Sequence, residues 1–383
     1  MSSKLVPKVR FKEFSGEWEE KPINKILTIG SGRDYKHLSK GDIPVYGTGG
    51  YMLSVNDYLY DGESICIGRK GTINKPMFIS GKFWTVDTLF YTHSFEDNIP
   101  KFIYLLFQKI DWLKYNEASG VPSLSKKTIE KIKIFIPTPQ EQQKIADTFS
   151  SLDNLIEAQT KKVELLKSHK KGLMQKLFPR DGAKVPEIRF KEFSGEWEEK
   201  TINQLFKYKN GGSFEKNIID NGIYNLITLN SIDINGELKN EHKTINIQSD
   251  FLNKDDLVMV LSDVAHGNFL GLTAIIPESN KYVLNQRMGA LKSKTNDIIT
   301  FIRFYINNNQ KYFKIHGHGS SQQNLSKNDI LKFKIFLPTP QEQQKIADTL
   351  SSLDNLIEAQ TKKIELLKEH KKGLMQKMFV NKD

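Results

Sequence analysis

The sequence predicts an α+β protein in which two globular mixed α/β blocks are joined by two long helices forming an antiparallel coiled coil, with a pseudo-twofold internal repeat. A long segment occurs twice almost without change, at 139–178 and at 340–379. A short motif is repeated ahead of each block, as VPKVRFKEFSGEWEEK at 6–21 and VPEIRFKEFSGEWEEK at 185–200. Within each long segment, apolar residues recur at alternating spacings of three and four, which is typical of a coiled-coil seam.

The repeats divide the chain into segments that occur in the same order twice. The blocks that lie between the repeated parts, 22–136 and 201–337, hardly match each other. The predicted segments are a first globular domain at 1–136 that contains the motif at 6–21, a central helical spacer region at 137–180, a second globular domain at 181–337 that contains the motif at 185–200, and a C-terminal helical spacer region at 338–383.

The two long segments are predicted to be helices of about 40 residues, each about 60 Å long at about 1.5 Å per residue. Pro139 and Pro340 suit the first turn of a helix. In each helix a glutamine near the centre takes the place of one apolar residue. The predicted seam consists of Phe149, Leu152, Ile156, Gln159, Val163 and Leu166 in the first helix and of Leu350, Leu353, Ile357, Gln360, Ile364 and Leu367 in the second.

The charges along the helices favour antiparallel pairing. Acidic residues dominate the first half of each helix and lysines dominate the second half, so antiparallel pairing sets each acidic half beside a basic half. The same pairing can bring Gln159 close to Gln360, where buried polar side chains can fix the register. The alternative is two separate amphipathic helices, each packed on its own domain.

The blocks themselves are predicted to be mixed α/β. Short strands are predicted at ESICIGRKGTI, KPMFIS and LFYTHSF in the first block and at YNLITLN, DLVMVLS and LTAIIP in the second. The segments IPKFIYLLFQKIDWLKY and IITFIRFYINNNQKYF are predicted to be helices. Near the end of each block, Ser125 and Ser326 are predicted to cap a helix that leads into a strand and then into the long helix.

Length and composition narrow the class of protein. A chain of 383 residues suggests two or more domains. The net charge of +11 suits a polyanionic partner such as nucleic acid, although many soluble proteins are mildly basic. Cys66 is the single cysteine, which excludes an internal disulfide and a cysteine-cluster zinc site and favours a reducing cytosol. We expect no signal peptide and no membrane span.

Sequence motifs for catalysis are missing. There is no phosphate-binding GxxxxGK[ST] loop, no GxSxG elbow and no adenine methyltransferase tetrapeptide of Asn or Asp, Pro, Pro and an aromatic residue. The stretch GTGGY at 47–51 is predicted to be a turn rather than a nucleotide loop. His316 and His318 alternate with glycine and make a weak zinc site, so we expect a polar loop and no bound metal.

Several glycine-rich polar loops suit DNA, because glycine lets the backbone approach a ligand closely and arginine and asparagine can pair with base edges. The alternative is that these loops are solvated turns. The DNA-binding candidates are Arg69, Lys70, Thr72, Asn74 and Lys75 in GRKGTINKP, His266 and Asn268 in SDVAHGNFLG, Gln286 and Arg287 in VLNQRMG, and Gln322, Gln323 and Asn324 in HGHGSSQQNLS.

Taken together, the paired PTPQEQQKIA phrases, the paired GEWEEK motifs and the two dissimilar blocks resemble the specificity subunit of type I restriction–modification systems over nearly the whole chain. The resemblance implies two target-recognition domains, each reading one half of a split double-stranded DNA site. It implies that the helices form a spacer and dock two modification subunits, which use S-adenosylmethionine to methylate adenine. Motor–nuclease restriction subunits that need ATP and Mg would join them. The chain itself would be a non-catalytic cytoplasmic subunit of a bacterium or archaeon and would bind no cofactor.

The extent of the repeat supports this interpretation. The helices match at positions predicted to face outward, such as Gln142, Gln143, Asn154, Glu157 and Lys161, which a coiled-coil seam alone does not require. Two identical outer surfaces are expected if two copies of one partner dock there. The competing hypotheses are a self-sufficient DNA methyltransferase or nuclease, and a structural coiled-coil protein with no role on DNA.

Overall fold

The chain forms two compact units, each built from parts that are distant in sequence. The first unit comprises Met1–Lys161 and Thr361–Asp383, and the second comprises Lys162–Gln360. Each unit therefore holds one globular block, the first half of one long helix and the second half of the other. The computed structural model describes residues 5–180, 182–247, 251–264, 269–320 and 322–380.

In the first unit, two four-stranded sheets make up the body of the block. The strands are β1 (Glu19–Pro22), β2 (Thr28–Ser31), β3 (Lys40–Gly47), β4 (Gly50–Val55), β5 (Tyr60–Asp61), β6 (Ser64–Gly68), β7 (Met77–Ile79), β8 (Lys82–Thr85), β9 (Leu89–His93) and β10 (Lys133–Ile136), and the helices are α1 (Pro100–Lys109), α2 (Lys126–Lys131) and α3 (Pro139–Leu177). One sheet has the order β2-β9-β6-β7 and is antiparallel, and the other has the order β4-β3-β8-β5 and contains the parallel pair β3 and β8. Strand β1 pairs with β10, which leads into the long helix.

The second unit repeats this plan. Its antiparallel sheet has the order β12-β19-β15-β17, and its second sheet, β14-β13-β18, contains the parallel pair β13 and β18. Strand β11 pairs with β21, and β16 pairs with β20. The strands are β11 (Glu198–Thr201), β12 (Phe206–Asn210), β13 (Tyr224–Ile227), β14 (Lys243–Ile245), β15 (Leu257–Val260), β16 (Ser262–Val264), β17 (Thr273–Ile275), β18 (Tyr282–Leu284), β19 (Met288–Ser293), β20 (Gln322–Asn324) and β21 (Lys334–Leu337), and the helices are α4 (Ile202–Leu205), α5 (Ile299–Asn308), α6 (Gln310–Ile315), α7 (Lys327–Leu331) and α8 (Pro340–Lys377).

The two blocks thus share a fold although their sequences hardly match. In the antiparallel sheet of the first unit, β2 pairs with β9, the last strand before α1. In the second unit, β12 pairs in the same way with β19, the last strand before α5. The short helix before the long helix is capped as predicted, because the hydroxyls of Ser125 and Ser326 accept hydrogen bonds from the backbone NH groups of Thr128 and Asp329. The stretch GTGGY forms the turn between β3 and β4, with Gly47 paired to Gly50.

The long helices pair in antiparallel fashion, as the charge pattern predicted. In the first unit, the ammonium of Lys371 on α8 lies 2.5 Å from the carboxylate of Asp153 on α3. In the second unit, Lys170 on α3 makes the same contact with Asp354 on α8, also at 2.5 Å. In both pairs an acid from the first half of one helix meets a lysine from the second half of the other.

The predicted seam residues are all buried or half-buried, whereas apolar neighbours on other faces are exposed. Val163 is 6% exposed and Ile364 is 8% exposed, compared with 71% for Leu165. Gln159 and Gln360 are half-buried, and within the described part of the chain their side-chain oxygens have no hydrogen-bond partner.

Each long helix ends inside an aromatic core. In the first unit, the ring of Phe379 at the end of α8 lies 5.5 Å from that of Phe102, 6.1 Å from that of Trp18 and 6.0 Å from that of Phe149. In the second unit, Phe178 at the end of α3 packs in the same way against Phe301 and Tyr305. Aromatic packing of this kind adds about 0.5–1.5 kcal/mol per pair beyond the burial of apolar area. The end of each helix is therefore part of the core of the unit in which it terminates.

At its start, each long helix is held by a buried ion pair with an arginine of the repeated motif at 6–21 or 185–200. Arg10 donates from Nε and Nη2 to the two carboxylate oxygens of Glu141 at 2.8 and 2.7 Å, and the Glu141 side chain is 1% exposed. Arg189 and Glu342 repeat both distances in the second unit. A two-point contact between a guanidinium and a carboxylate fixes direction as well as distance.

The structure corrects one position that the sequence placed on the outer surface. Gln142 is 1% exposed, because its side-chain oxygen accepts from the NH of Ile99 at 3.0 Å and its NH2 group donates to Asn98 and to the carbonyl of Pro137. Its amide therefore joins the start of α3 to the start of α1. The other positions named with it, Gln143, Asn154, Glu157 and Lys161, are exposed.

Replacing Glu141 by alanine should lower the free energy of unfolding of the first unit by about 3 kcal/mol, because it leaves the mostly buried Arg10 guanidinium without its counter-ion. Urea unfolding followed by tryptophan fluorescence measures this, since Trp18, Trp84 and Trp112 lie in the first unit. Gln143→Ala is the control, because Gln143 is exposed and lies only two residues after Glu141. This change should lower the free energy of unfolding by no more than about 0.5 kcal/mol. Equal losses for the two variants would show that the ion pair does not hold the junction.

Candidate nucleic-acid interface

The candidate DNA-binding residues of the first unit lie in one chain segment, which meets two others at the end of β6. The NH of Arg69 donates to the carbonyl of Thr88 at 2.8 Å, and the NH of Leu124 donates to the carbonyl of Arg69 at 2.9 Å. Lys70 forms a β-bridge with Ser123. We call these segments, 69–75, 86–88 and 122–124, the first loop cluster.

The basic side chains of the first loop cluster point to solvent. Arg69, Lys70, Asn74 and Lys75 are exposed, and Thr72 is half-buried. The guanidinium of Arg69 lies 6.0 Å from the centre of the Phe90 ring, and its Nη1 donates to the carbonyl of Asp87 at 3.5 Å. These weak contacts orient the guanidinium and leave its other NH groups available to a ligand.

The second unit brings together the corresponding segments. The NH of Leu261 donates to the carbonyl of Arg287 at 2.9 Å, and the NH of Leu325 donates to the carbonyl of Leu261 at 2.8 Å. Strand β16 then pairs with β20. We call 261–264, 285–287 and 322–325 the second loop cluster. It joins residues from three of the polar stretches that the sequence singled out separately.

A glycine lies against each cluster at a point where no side chain fits. The NH of Gly32 donates to the carbonyl of Leu89, and the NH of Gly211 donates to that of Met288. A Cβ on Gly32 would lie 1.9 Å from the carbonyl oxygen of Val86, and a Cβ on Gly211 would lie 1.8 Å from that of Asn285. The close approach supports the equivalence of the two clusters.

The amides of β20 do not all face the same way, since successive strand residues point to opposite sides. Gln322 donates from Nε2 to the hydroxyl of Ser262 at 2.5 Å and to the side-chain oxygen of Asn324 at 3.3 Å. Gln323 is half-buried against Gly317, and among the described residues its side-chain oxygen has no hydrogen-bond partner. Asn324 is the exposed amide of the strand.

Arg287 has an unusual backbone. It is exposed and has a φ of 70°, in the left-handed region that a non-glycine residue seldom occupies. Asn285, which is 2% exposed, supports the turn by accepting a hydrogen bond from the NH of Phe214 at 3.1 Å. Gln286 between them is half-buried. Such conformations cluster at ligand-binding positions, and the amino-acid sequence contains no signal for this one.

The remaining histidine and asparagine candidates differ in where they lie. His266 and Asn268 are outside the described residues. His316 stacks on Tyr312 with 4.0 Å between ring centres, and Nε2 of His318 lies 3.3 Å from the Asp329 carboxylate. Both therefore take part in packing or hydrogen bonding next to α6 and α7. No group of three or more metal-ligating His, Cys, Asp or Glu side chains occurs in the described ranges.

Asn116 lies outside the first loop cluster but supports it, and sequence reasoning missed this residue. Its side-chain oxygen accepts from the NH groups of Ala118 and Ser123 at 3.1 and 2.9 Å, and so orders the chain that returns to Lys70. The bond to Ser123 spans seven residues of irregular loop, which no local pattern encodes.

Comparison with known proteins identifies the family. Residues 15–167 and 194–369 each match the type I restriction modification DNA specificity domain. The chain belongs to this family. Each of the two domain matches spans one globular block and most of the long helix that follows it, so the internal repeat is a repeat of the family domain.

Relatives of this chain are named specificity subunits. The type I restriction enzyme MjaVIII specificity subunit of Methanocaldococcus jannaschii is 29% identical over 355 residues, covering 86% of this chain and 80% of that protein. The putative MjaX specificity subunit of the same organism is 27% identical over 296 residues, covering 73% and 67%.

Solved structures agree on the fold. The S subunit of a type I restriction–modification system from M. genitalium superposes with a TM-score of 0.65 over 99% of this chain and all of that one, at 16% identity. A chain from a structure on complex assembly and conformational transition of a type I restriction–modification system gives a TM-score of 0.57 over 94% of this chain and 97% of its own length, at 13% identity. In the described part of this chain, no helix is both long and apolar enough to span a bilayer.

Arg69→Ala should weaken binding of the cognate duplex by about 1–3 kcal/mol if the guanidinium reads a base, and should also reduce discrimination against a duplex whose first half-site is scrambled. Fluorescence anisotropy on both duplexes measures this. A contact to phosphate would instead weaken both duplexes equally and lower the salt slope by about one.

Lys25→Ala is the matched control for this change. Lys25 is exposed and follows β1, whose partner β10 leads into α3, so it lies toward the helix end of the block. The control should leave both affinities nearly unchanged. If Arg69→Ala behaves like Lys25→Ala, the first loop cluster is not a DNA contact.

Proposed function

We propose that this chain is the non-catalytic DNA-reading subunit of a type I restriction–modification complex, in which each globular block reads one half of a bipartite double-stranded site. The observation that carries the proposal is the contrast between the two units. They share the strand order of the antiparallel sheet and the helix junctions. The exposed side chains of the loop clusters nevertheless differ, because the first cluster exposes Arg69 and Lys70, whereas the second exposes Arg287 and Asn324.

The exposed groups of the two clusters suit different base edges. Arginine can donate two hydrogen bonds to guanine, and asparagine can both donate to and accept from adenine in the major groove. Lys70 and Lys75 add positive charge that attracts phosphates, and the net charge of +11 acts in the same direction over the whole chain. Two unlike clusters on one framework would read two unlike half-sites.

The long helices would serve both as a spacer and as docking surfaces for two modification subunits. Gln143, Asn154, Glu157 and Lys161 are exposed on α3, and Gln344, Asn355, Glu358 and Lys362 are the same residue types, also exposed, on α8. Because the two surfaces match, one kind of partner can bind twice. The exposure of these four positions supports docking, whereas the buried Gln142 is not available to a partner.

The remaining parts of the complex follow from this role. S-adenosylmethionine would be bound by the modification subunits, which methylate adenine. ATP and Mg would be used by motor–nuclease restriction subunits that join through them. We place the complex in the cytoplasm, where the host DNA lies.

The chain alone, incubated with S-adenosylmethionine and DNA, should methylate nothing. Activity in that assay would instead favour a self-sufficient methyltransferase.

Replacing residues 201–337 with the corresponding block of a relative should change one half of the methylated sequence and leave the other half unchanged. The reason is that each loop cluster lies wholly within one unit. Methylation mapping of a strain that expresses the hybrid with its modification subunit measures both halves together. The reciprocal exchange of 22–136 is the matched control and should alter the opposite half. If either hybrid changes both halves or neither, the modular assignment is wrong.

Lengthening both helices by one heptad should abolish methylation at the original gap. Duplicating 155–161 in α3 and 356–362 in α8 keeps the seam periodicity of both helices and adds about 10 Å, or about three base-pair steps. The variant should be inactive or should prefer a gap longer by about three pairs. Duplication in α3 alone is the control and should destabilise the chain, because it shifts the seam of α3 by one heptad relative to the seam of α8. Full activity of the double variant at the original gap would mean that the helices do not set the spacing.

A further inference from the structure

The hairpin of β3 and β4 in the first unit exposes two large apolar side chains at its tip, residues 47–52, which we call the hairpin tip. Tyr51 is 63% exposed and Met52 is 49% exposed. Neighbours on a regular strand point to opposite faces of the sheet. Here Met52 is an extra residue at a register shift between β3 and β4, as in a β-bulge. Such bulges re-aim side chains and are frequent beside functional sites.

The hairpin tip lies against the first loop cluster. A Cβ placed on Gly71 would lie 3.6 Å from Oγ1 of Thr48, which is an ordinary contact distance. A Cβ placed on Gly47 would lie 2.8 Å from Sδ of Met52 and 3.6 Å from Cγ2 of Val86. The thioether therefore lies over Gly47, next to a residue of the cluster. The tip and the cluster are parts of one surface.

The loop that returns to the cluster adds a third exposed apolar side chain. Val121 is 57% exposed, and the carbonyl of the next residue, Pro122, accepts a hydrogen bond from the NH of Gly71 at 2.8 Å. Single exposed apolar residues are common on protein surfaces. Three of them in segments that contact Gly71, beside the exposed Arg69 and Lys70, indicate a surface that meets apolar as well as charged groups of a ligand.

Contacts within the hairpin hold the ring of Tyr51 in place. Its hydroxyl lies 3.1 Å from Oγ of Ser54, and its ring meets that of Tyr46 edge-on with 6.4 Å between centres. An aromatic side chain has two rotatable bonds, so a restrained ring offers apolar area at a small cost in conformational entropy. The thioether of Met52 is flexible and can adapt to the shape beside it.

The second unit differs at the corresponding point. In the first unit, the NH of Val86 donates to the carbonyl of Tyr46 at 3.0 Å. In the second unit, the NH of Asn285 makes the same bond to the carbonyl of Ile227. The hairpin tip follows the first of these carbonyls. The short turn that follows the second exposes Asn230 in place of an aromatic or thioether side chain.

We propose that the hairpin tip is a second reading element of the first unit, in which Tyr51 and Met52 cover the C5 methyl group of a thymine in the half-site that this unit reads. The inference rests on the proposed function, because it needs the first loop cluster to lie on DNA. A two-stranded β-ribbon fits the major groove, where the methyl group distinguishes thymine from the other bases. Arg69 and Lys70 would meet polar base edges or phosphates beside it.

Replacing thymine by uracil tests the proposal, since it removes the C5 methyl group and keeps the hydrogen-bonding groups of the base. The first half-site is the half of the methylated motif that exchange of 22–136 alters. The full-length chain with its modification subunits is titrated by fluorescence anisotropy against duplexes in which one thymine at a time is replaced. At least one position in the first half-site should bind about fourfold more weakly, the loss expected for one exposed CH2-sized group. Replacement within the gap should have no effect.

Met52→Ala and Tyr51→Ala show whether the hairpin tip causes this methyl effect. At least one of them should reduce it to less than about twofold and leave the uracil effects in the second half-site unchanged. Both residues are exposed, so both variants should fold, and the unchanged second half-site checks this. Tyr58→Ala is the matched control and should keep the full effect. Tyr58 is also an exposed tyrosine, but it follows the far end of β4 and lies 4.8 Å from the ammonium of Lys82.

A duplex with a scrambled first half-site separates this inference from the proposed function. If the wild-type complex binds it as tightly as the cognate duplex, the first unit does not read DNA and both ideas fail. If the complex discriminates against it but shows no uracil effect in the first half-site, the inference alone is wrong. An effect that both variants retain, or that Tyr58→Ala also removes, would overturn it too. An effect that Met52→Ala or Tyr51→Ala removes and Tyr58→Ala keeps supports the hairpin tip as a reader of thymine.

Discussion

The buried ion pair at the start of each long helix is the contact on which the arrangement of each unit depends. Glu141 receives two hydrogen bonds from Arg10, and Glu342 receives two from Arg189, at the same distances. The next residue, a glutamine, ties the helix to the first turn of α1 or α5. A buried carboxylate is costly without its partner. The motif at 6–21 or 185–200, the helix α1 or α5 and the long helix must therefore assemble together.

This junction explains why one phrase is repeated without change in the chain. PTPQEQQKIADT carries the glutamate and glutamine of the junction together with the first buried turns of the helix, Ile145 and Ala146 in the first copy. At its other end, each helix contributes a phenylalanine to the core of a block. A block can therefore change its loop cluster freely, whereas a change in the junction or at the helix end disturbs the packing that holds the helix.

Much of the architecture could be predicted from sequence because it depends on local or repeated patterns. The heptads predicted the seam of the long helices, and the opposite charge of the helix halves predicted that they pair in antiparallel fashion. The serines predicted where the short helices α2 and α7 begin. Each of these signals acts over a few residues. The burial of Gln142 could not be predicted, since its partner Ile99 lies more than forty residues away. The inward face of Gln323 and the left-handed backbone of Arg287 likewise depend on contacts between segments that are remote in sequence.

The chain thus combines two equivalent frameworks with two unlike loop clusters and one pair of antiparallel helices. Genome-wide mapping of adenine methylation, in cells that express this chain unaltered with its modification subunit, tests that combination most directly. We expect a single bipartite motif with two different halves, one methylated adenine in each half and one gap length of unspecified sequence. A continuous motif, two identical halves or several gap lengths would contradict it.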